Sequence, residues 1–214
     1  MKARSCPVVL SVILGLLAVS SARADDAAIL SHAFIDPADP AVREVRRLGE
    51  WTLDQAGVMM QKEVRQVLAD TAPAMAIGVM HLKNYKLPAT AAGKPSVTGL
   101  RRTSLHVRNP ANAPDVADRA ALDLIKEQLD QGESVARILV QQVTRPGQPA
   151  EWRVYRPLIV MKQCLVCHGP VSVLAPGVQD ALKVFYPHDN ALDYQEGDWR
   201  GLMRVTIVDP AAKK

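Results

Sequence analysis

The stretch that decides the fold is "RILVQQVTRPGQPAEWRVYRPLIVM", which runs from Arg137 to Met161. Two runs rich in β-branched and aromatic residues flank the turn residues "RPGQPA", a pattern that predicts a pair of antiparallel strands. A further run of this kind, "GDWRGLMRVTIVD" at Gly197–Asp209, predicts a strand at the end of the chain. Helical patterns come first and between the strands, so we expect an α+β fold.

A long N-terminal helix is predicted over Ala41–Asp70, where mostly apolar residues recur every three or four positions without a proline. Asp39 is a suitable N-cap, and Pro40 fits the first turn. A helix of about 30 residues is about 45 Å long, more than a small domain can cover. We therefore expect it to break near Gly49 or Gly57, or to pack partly on a partner.

The remaining elements follow from shorter patterns. Asp115–Asp130 is predicted as an amphipathic helix, Leu100–Pro110 as a strand, and Ala91–Gly99 as a flexible loop. Ala181–Tyr186 suits a short helix or turn. In Ala72–Ala89 the apolar pattern does not separate helix from strand.

The first 24 residues have the pattern of a secretory signal peptide. A basic start, an apolar run at Pro7–Val19 and the small residues of "SARA" predict cleavage before Asp25. The apolar run is short for a membrane span, and an uncleaved N-terminal anchor is the alternative. We therefore expect a cleaved leader and a periplasmic protein, with residues 25–39 as an N-terminal extension and residues 40–210 as one domain.

Net charge argues against a nucleic-acid partner. The leader holds three of the 26 basic residues, so the mature chain keeps 23 against 22 acidic ones. A nearly neutral chain lacks the basic surface that binding to nucleic acid requires.

The segment "MKQCLVCHGP", Met161–Pro170, follows the second strand directly and carries a cofactor motif. Cys164, Cys167 and His168 form C-x-x-C-H, the attachment signature of a c-type haem. A zinc site would need a fourth ligand, and a thiol–disulfide site would give His168 no role. The single motif predicts one covalently attached haem c, with His168 on one face of the iron.

Three stretches then occur in a recognisable order, namely "RTSLHVRNPANAPD" (Arg102–Asp115), "CLVCHG" (Cys164–Gly169) and "YPHDNALDYQEGDWRG" (Tyr186–Gly201). In them the chain resembles the single-haem c-type proteins with a PAS-like fold, long catalogued as a domain of unknown function. That family also supplies extracytoplasmic input modules of bacterial sensor kinases and chemoreceptors. The resemblance, over Pro40–Asp209, implies a PAS-like central antiparallel sheet with flanking helices and a haem beside it.

The resemblance also implies a second iron ligand. Family members carry a cysteine in an "AI-x-V-C" segment, and the matching segment here is "AIGVMHL", Ala76–Leu82, with Met80 in that place. A methionine thioether is neutral and should raise the reduction potential relative to a thiolate. The alternatives are His81 as ligand, or Met80 in the core with an open iron site. His106 is predicted in a strand with a structural role, and His188 in a turn.

Other residues of the matched stretches are candidates for the haem environment. Arg102, Arg108 and Arg200 could pair with the propionates, because guanidinium groups suit carboxylates. Tyr186 and Trp199 could pack on the macrocycle. For all five, a role in fixing loops or filling the core is the alternative.

We therefore expect a periplasmic mono-haem cytochrome with His/Met ligation that transfers electrons to a redox partner protein. The alternative is a haem-based redox or gas sensor that signals through a separate membrane partner docked on the long helix, or as a homodimer through that helix. An enzymatic reaction on peroxide or nitrogen oxides is not expected, because apart from His81 no acid–base group stands out.

Overall fold

The computed structural model describes residues 29–79 and 85–210. The predicted leader, its cleavage site, Met80 and His81 lie outside the described residues. The strands are β1 (Ser31–Ile35), β2 (Ser96–Thr103), β3 (Leu139–Thr144), β4 (Glu151–Ile159) and β5 (Trp199–Val208). The α-helices are α1 (Arg43–Asp70), α2 (Pro73–Ala76), α3 (Val116–Asp130), α4 (Leu165–His168) and α5 (Val178–Phe185), and short 3-10 turns cover Pro40–Val42, Pro110–Asn112, Lys162–Cys164 and Val171–Val173.

All five strands form one antiparallel sheet in the order β1-β3-β4-β5-β2. The predicted hairpin is present, with Val140 of β3 opposite Val154 of β4. The last strand, β5, lies between β4 and β2 and is buried along most of its length. The expected α+β class, with a central antiparallel sheet, flanking helices and a long N-terminal helix, is confirmed.

The two longest helices cover opposite faces of the sheet. Leu53 and Ala56 of α1 share a buried cluster with Val154 of β4. On the other face, Leu122 of α3 packs with Tyr155 of the same strand. Because neighbouring residues of a strand point to opposite faces, Val154 and Tyr155 mark the two sides.

Helix α1 is continuous over its 28 residues, so the expected break at either glycine is wrong. Gly49 is a contact point instead, because a Cβ there would lie 2.5 Å from Cγ2 of Val154. Gly57 has open space around it. Buried residues of α1 end at Ala56, and the second half of the helix extends past the sheet to line a cavity that contains Met60 and Leu68. The helix is about 42 Å long. Its first half packs on the sheet, and its second half lines the cavity.

Two boundaries differ from the prediction. The segment treated as an N-terminal extension contributes β1, whose residues pair with β3 from Ser31–Thr144 to Ile35–Val140. Strand β2 begins at Ser96, inside the predicted loop, and ends at Thr103. The backbone N–H of His106 donates to Oγ of Ser104 at 3.1 Å, so the chain turns there and His106 is not in a strand.

No helix within residues 29–79 and 85–210 is both long enough and apolar enough to cross a membrane.

Candidate functional site

A cavity of about 190 Å³ lies where the second half of α1 meets the ends of β2 and β4. The turn that follows β4 closes one side of it. Seven predicted site residues line this cavity: Arg102, Arg108, Cys164, Cys167, His168, Tyr186 and Arg200. The structure thus brings together residues from distant parts of the sequence. Trp199 is not among the lining residues.

The C-x-x-C-H motif occupies a tight turn and a short helix. The chain leaves β4, makes the 3-10 turn Lys162–Cys164 and continues into α4. Residues three and four apart share a helix face, so this turn brings Cys167 and His168 to the side of Cys164. Both cysteines are free thiols, and burial raises the pKa of Cys167 while nearby Arg108 opposes the shift.

Within the described parts of the chain, no three His, Cys, Asp or Glu side chains converge in a way that could hold a metal ion.

His168 is held in one orientation, and its Nε2 atom has no hydrogen-bond partner among the described residues. Its Nδ1–H donates to the carbonyl oxygen of Ala191 at 2.7 Å. Burial lowers the pKa of His168 well below its usual value, and the nearby guanidinium groups of Arg108 and Arg200 add to that shift. A neutral imidazole with Nδ1 engaged presents Nε2 as a lone-pair donor, which is the usual arrangement of a metal-ligating histidine.

The loop that follows α5 wraps around this motif. The backbone N–H of Tyr194 donates to the carbonyl of His168 at 3.0 Å, and that of Asp193 donates to Gly169 at 3.1 Å. The rings of Tyr194 and His168 meet edge to face, with centroids 6.3 Å apart and an interplanar angle of 87°. His188 lies in the preceding turn, as the sequence predicted, and it is exposed. The loop therefore fixes the motif from its C-terminal side.

Most N–H donors of Arg108 bond to groups of the protein. Its Nη2 donates to the carbonyl oxygens of Cys167 at 2.6 Å and of Ala191 at 3.1 Å. Its Nε donates to Oδ2 of Asp189 at 3.1 Å, and the two side chains form a buried ion pair. Arg108 thus ties the loop to the motif.

Arg200 is also engaged by protein groups. Its Nη1 donates to Oγ of Ser104 at 2.5 Å and to the carbonyl of His106 at 2.9 Å. Its guanidinium lies over the ring of Tyr194, 5.2 Å from the centroid, within the range of a cation–π contact. Burial lowers the pKa of Arg200. Both hydrogen bonds use Nη1, so Nε and Nη2 of Arg200 have no partner among the described residues.

Arg102 differs from the other two arginines. It lines the cavity, and it forms no hydrogen bond or ion pair with any described residue. Burial lowers the pKa of its guanidinium, an effect that nearby Glu63 and Tyr186 oppose. Unpaired buried polar groups are costly, so this wall of the cavity suits an anionic group such as a haem propionate.

The two aromatic candidates lie in different places. Tyr186 lines the cavity at the end of α5. Trp199 packs in the cluster under α3, and its indole N–H is buried without a partner among the described residues. The structure therefore does not bring Trp199 to the cavity.

Sequence reasoning missed other lining residues, among them Met60, Val64 and Leu68 of α1. These positions continue the four-residue spacing of the helix beyond Ala56, the last buried residue of α1. This spacing could have predicted a second contact surface, because an apolar stripe that continues beyond the sheet must pack against another part of the protein or a ligand.

Comparisons with known proteins cover most of the chain. A model of the Tll0287-like family, described as Tll0287, matches residues 43–208. No protein with a curated description matches the chain. A crystal structure described as that of the cyanobacterial haem protein Tll0287 is 20% identical, covers 83% of this chain and 100% of its own, and has a TM-score of 0.40.

Proposed function

The chain belongs to the Tll0287-like family, and from that premise we propose that it is a periplasmic mono-haem c-type cytochrome that transfers electrons. The observation that carries the proposal is the state of His168. Its Nδ1–H is held by the carbonyl of Ala191, in the wall of a cavity that also contains both cysteines of C-x-x-C-H.

The residues present fit a covalently attached haem. Cys164 and Cys167 are free thiols and would form the two thioether links. His168 would bind the iron through Nε2, and Arg102 would receive a propionate. When bound, the haem supplies a one-electron couple between ferric and ferrous iron.

Groups of the protein fix the orientation of His168 and the position of α4 without any contribution from the haem. The Ala191 carbonyl fixes the His168 tautomer, so no proton has to move when the ring becomes a ligand. The bonds from Tyr194 and Asp193 to the backbone of the motif hold α4 in place. A rigid site of this kind favours electron transfer over bond-making chemistry.

We assign Met80 as the second residue that would hold the iron, with His81 as the alternative. The support is the family pattern, in which the segment Ala76–Leu82 carries a ligand at that place. Ala76 and Ile77, at the start of the segment, line the cavity. Thioether ligation predicts a higher potential than the thiolate ligation of relatives.

The test of this assignment is an absorption and ligand-binding survey of the purified holoprotein in both oxidation states. Wild type should be low-spin, with the weak sulfur-to-iron band of methionine ligation. Met80→Leu keeps the apolar volume, but it should lose that band and bind carbon monoxide. The matched control is Met60→Leu, a change in the same cavity that should alter neither property. An unchanged Met80→Leu spectrum would remove Met80 as ligand.

One observation favours the alternative of a sensor that docks on a partner, or pairs with a second copy, through the long helix. Trp51 and Val58, one heptad apart on the outer face of α1, are 51% and 64% exposed. Sedimentation of the oxidised and the reduced protein distinguishes the two functions. A change of oligomeric state on reduction supports sensing, and an unchanged state with rapid exchange to a small cytochrome supports electron carriage.

A further inference from the structure

We infer that Arg108 and Asp189 act as a pair of positioning residues that set the reduction potential of the site through the Ala191 carbonyl. The inference rests on the proposed function, because it needs His168 as an iron ligand. It assigns Arg108 a role other than the propionate contact expected from the sequence.

The geometry centres on one oxygen atom. The Ala191 carbonyl accepts from His168 Nδ1 at 2.7 Å and from Arg108 Nη2 at 3.1 Å. The same Nη2 atom also donates to the carbonyl of Cys167, at 2.6 Å. One guanidinium group therefore touches both the acceptor of the ligand's proton and the backbone of the attachment motif.

Asp189 controls how much of the Arg108 charge reaches that oxygen. Its Oδ2 lies 3.0 Å from Nη2 of Arg108, and the side chains are only 11% and 7% exposed. Its Oδ1 accepts from the backbone N–H of Ala191 at 2.9 Å. In a buried setting such charges are poorly screened. The carboxylate therefore offsets the cation at the carbonyl that His168 uses.

The direction of each effect follows from the charge. A cation bonded to the carbonyl makes that oxygen a weaker acceptor, so the His168 ring is less basic and stabilises ferric iron less. Arg108 should thus raise the potential, and Asp189 should lower it. Arg200 and Arg102 also face His168, but no hydrogen bond joins either to the Ala191 oxygen.

The experiment measures the midpoint potential of purified holoprotein for three variants. Arg108→Gln should lower it, Asp189→Asn should raise it, and Arg108→Lys, which keeps the charge, should stay close to wild type. We expect each of the first two shifts to be about tenfold in the redox equilibrium constant, or about 59 mV for one electron. The matched controls are Arg119→Gln and Asp123→Asn, an exposed pair on α3, which should shift nothing.

A second readout separates tuning from mere structural support. The ring Nδ1–H resonance of His168 in the reduced protein should move downfield in Arg108→Gln, because its bond to Ala191 loses a competing donor. If Arg108→Gln fails to accumulate, the midpoint potentials of Asp189→Asn and Arg108→Lys still test the inference. Shifts of both charge-removing variants in the same direction, or no shift, overturn the inference. A wild-type protein without haem overturns the proposed function instead.

Discussion

Buried arginines lie on both sides of the molecule, and their surroundings differ. Under α3, Arg153 and Arg204 are paired with Asp115 and Asp118 at distances between 2.7 and 3.5 Å. In the cavity wall, Arg102 has no partner among the described residues. A matched set of buried charges holds a fold together, whereas a cation without such a partner beside a cavity suits an anionic ligand.

The paired set extends into a larger polar network. Tyr155 places its hydroxyl 3.1 Å from Asp118 and 2.8 Å from Gln141, and Arg153 also reaches Glu151 at 2.6 Å. It joins the first turn of α3 to β3, β4 and β5, and it makes no use of the cavity. We therefore expect substitutions in the paired network to lower the free energy of unfolding without changing the haem spectrum. Substitutions in the cavity wall should change the haem properties.

The largest expected effect is on stability, from Arg153→Met. It leaves Asp115 and Asp118 short of one cation, and losing one partner of a buried pair costs about 3–5 kcal/mol. Urea unfolding should show this loss, while the absorption spectrum of the folded holoprotein stays unchanged. Arg119→Met, in an exposed pair, should cost less than about 1 kcal/mol. A changed absorption spectrum in Arg153→Met would contradict the claim that the paired network does not affect the haem site.

The next effect in size tests Arg102. Arg102→Gln should lower the free energy of unfolding of the holoprotein by about 1.5–3 kcal/mol, because charge-assisted bonds to a propionate are lost. Urea unfolding followed by the haem absorbance measures it, again beside Arg119→Gln. A holoprotein that is unchanged or more stable would show that Arg102 binds no anion.

A smaller effect is the response of the paired network to acid. Burial alone would raise the pKa of Asp115, but the hydrogen bond and charge of Arg153 outweigh it and hold the pKa at about 2. Because the folded pKa lies below the unfolded one, the unfolded chain takes up the proton first. Stability should therefore fall by about 2 kcal/mol between about pH 4 and pH 2.

The predicted fall in stability is checked by measuring the free energy of unfolding between about pH 4 and pH 2. The same measurement on Asp115→Asn is the comparison. The variant should lose this part of the pH dependence, whereas Asp123→Asn on the exposed face of α3 should keep it. An unaltered slope in Asp115→Asn would mean that the carboxylate does not depend on Arg153.

The smallest effect separates the two aromatic candidates. Trp199→Phe removes a buried N–H that has no partner among the described residues, so stability should change by about 1 kcal/mol or less. Its haem spectrum should match wild type, because Trp199 lies under α3. Tyr186→Phe, in the cavity wall, should shift the haem bands. A spectral change from Trp199→Phe alone would reverse this placement.

The sequence predicted what depends on local pattern. The hairpin of β3 and β4, the helix capped by Asp115 and the contiguous motif at Cys164–His168 all have signals within a few residues. Strand β1 was missed because it is exposed on nearly its whole surface and has no alternation. The role of Arg108 depends on partners tens of residues away, Cys167 and Asp189, which spacing along the chain does not reveal.

The central claim is that the cavity holds one haem bound through Cys164 and Cys167, and the most direct test is the intact mass of the purified protein under denaturing conditions. The account predicts a chain that starts at Asp25 and is heavier by one haem, with the added mass lost in Cys164→Ala/Cys167→Ala. A wild-type chain without the added mass, or one lighter by two hydrogens through a Cys164–Cys167 disulfide, would contradict it.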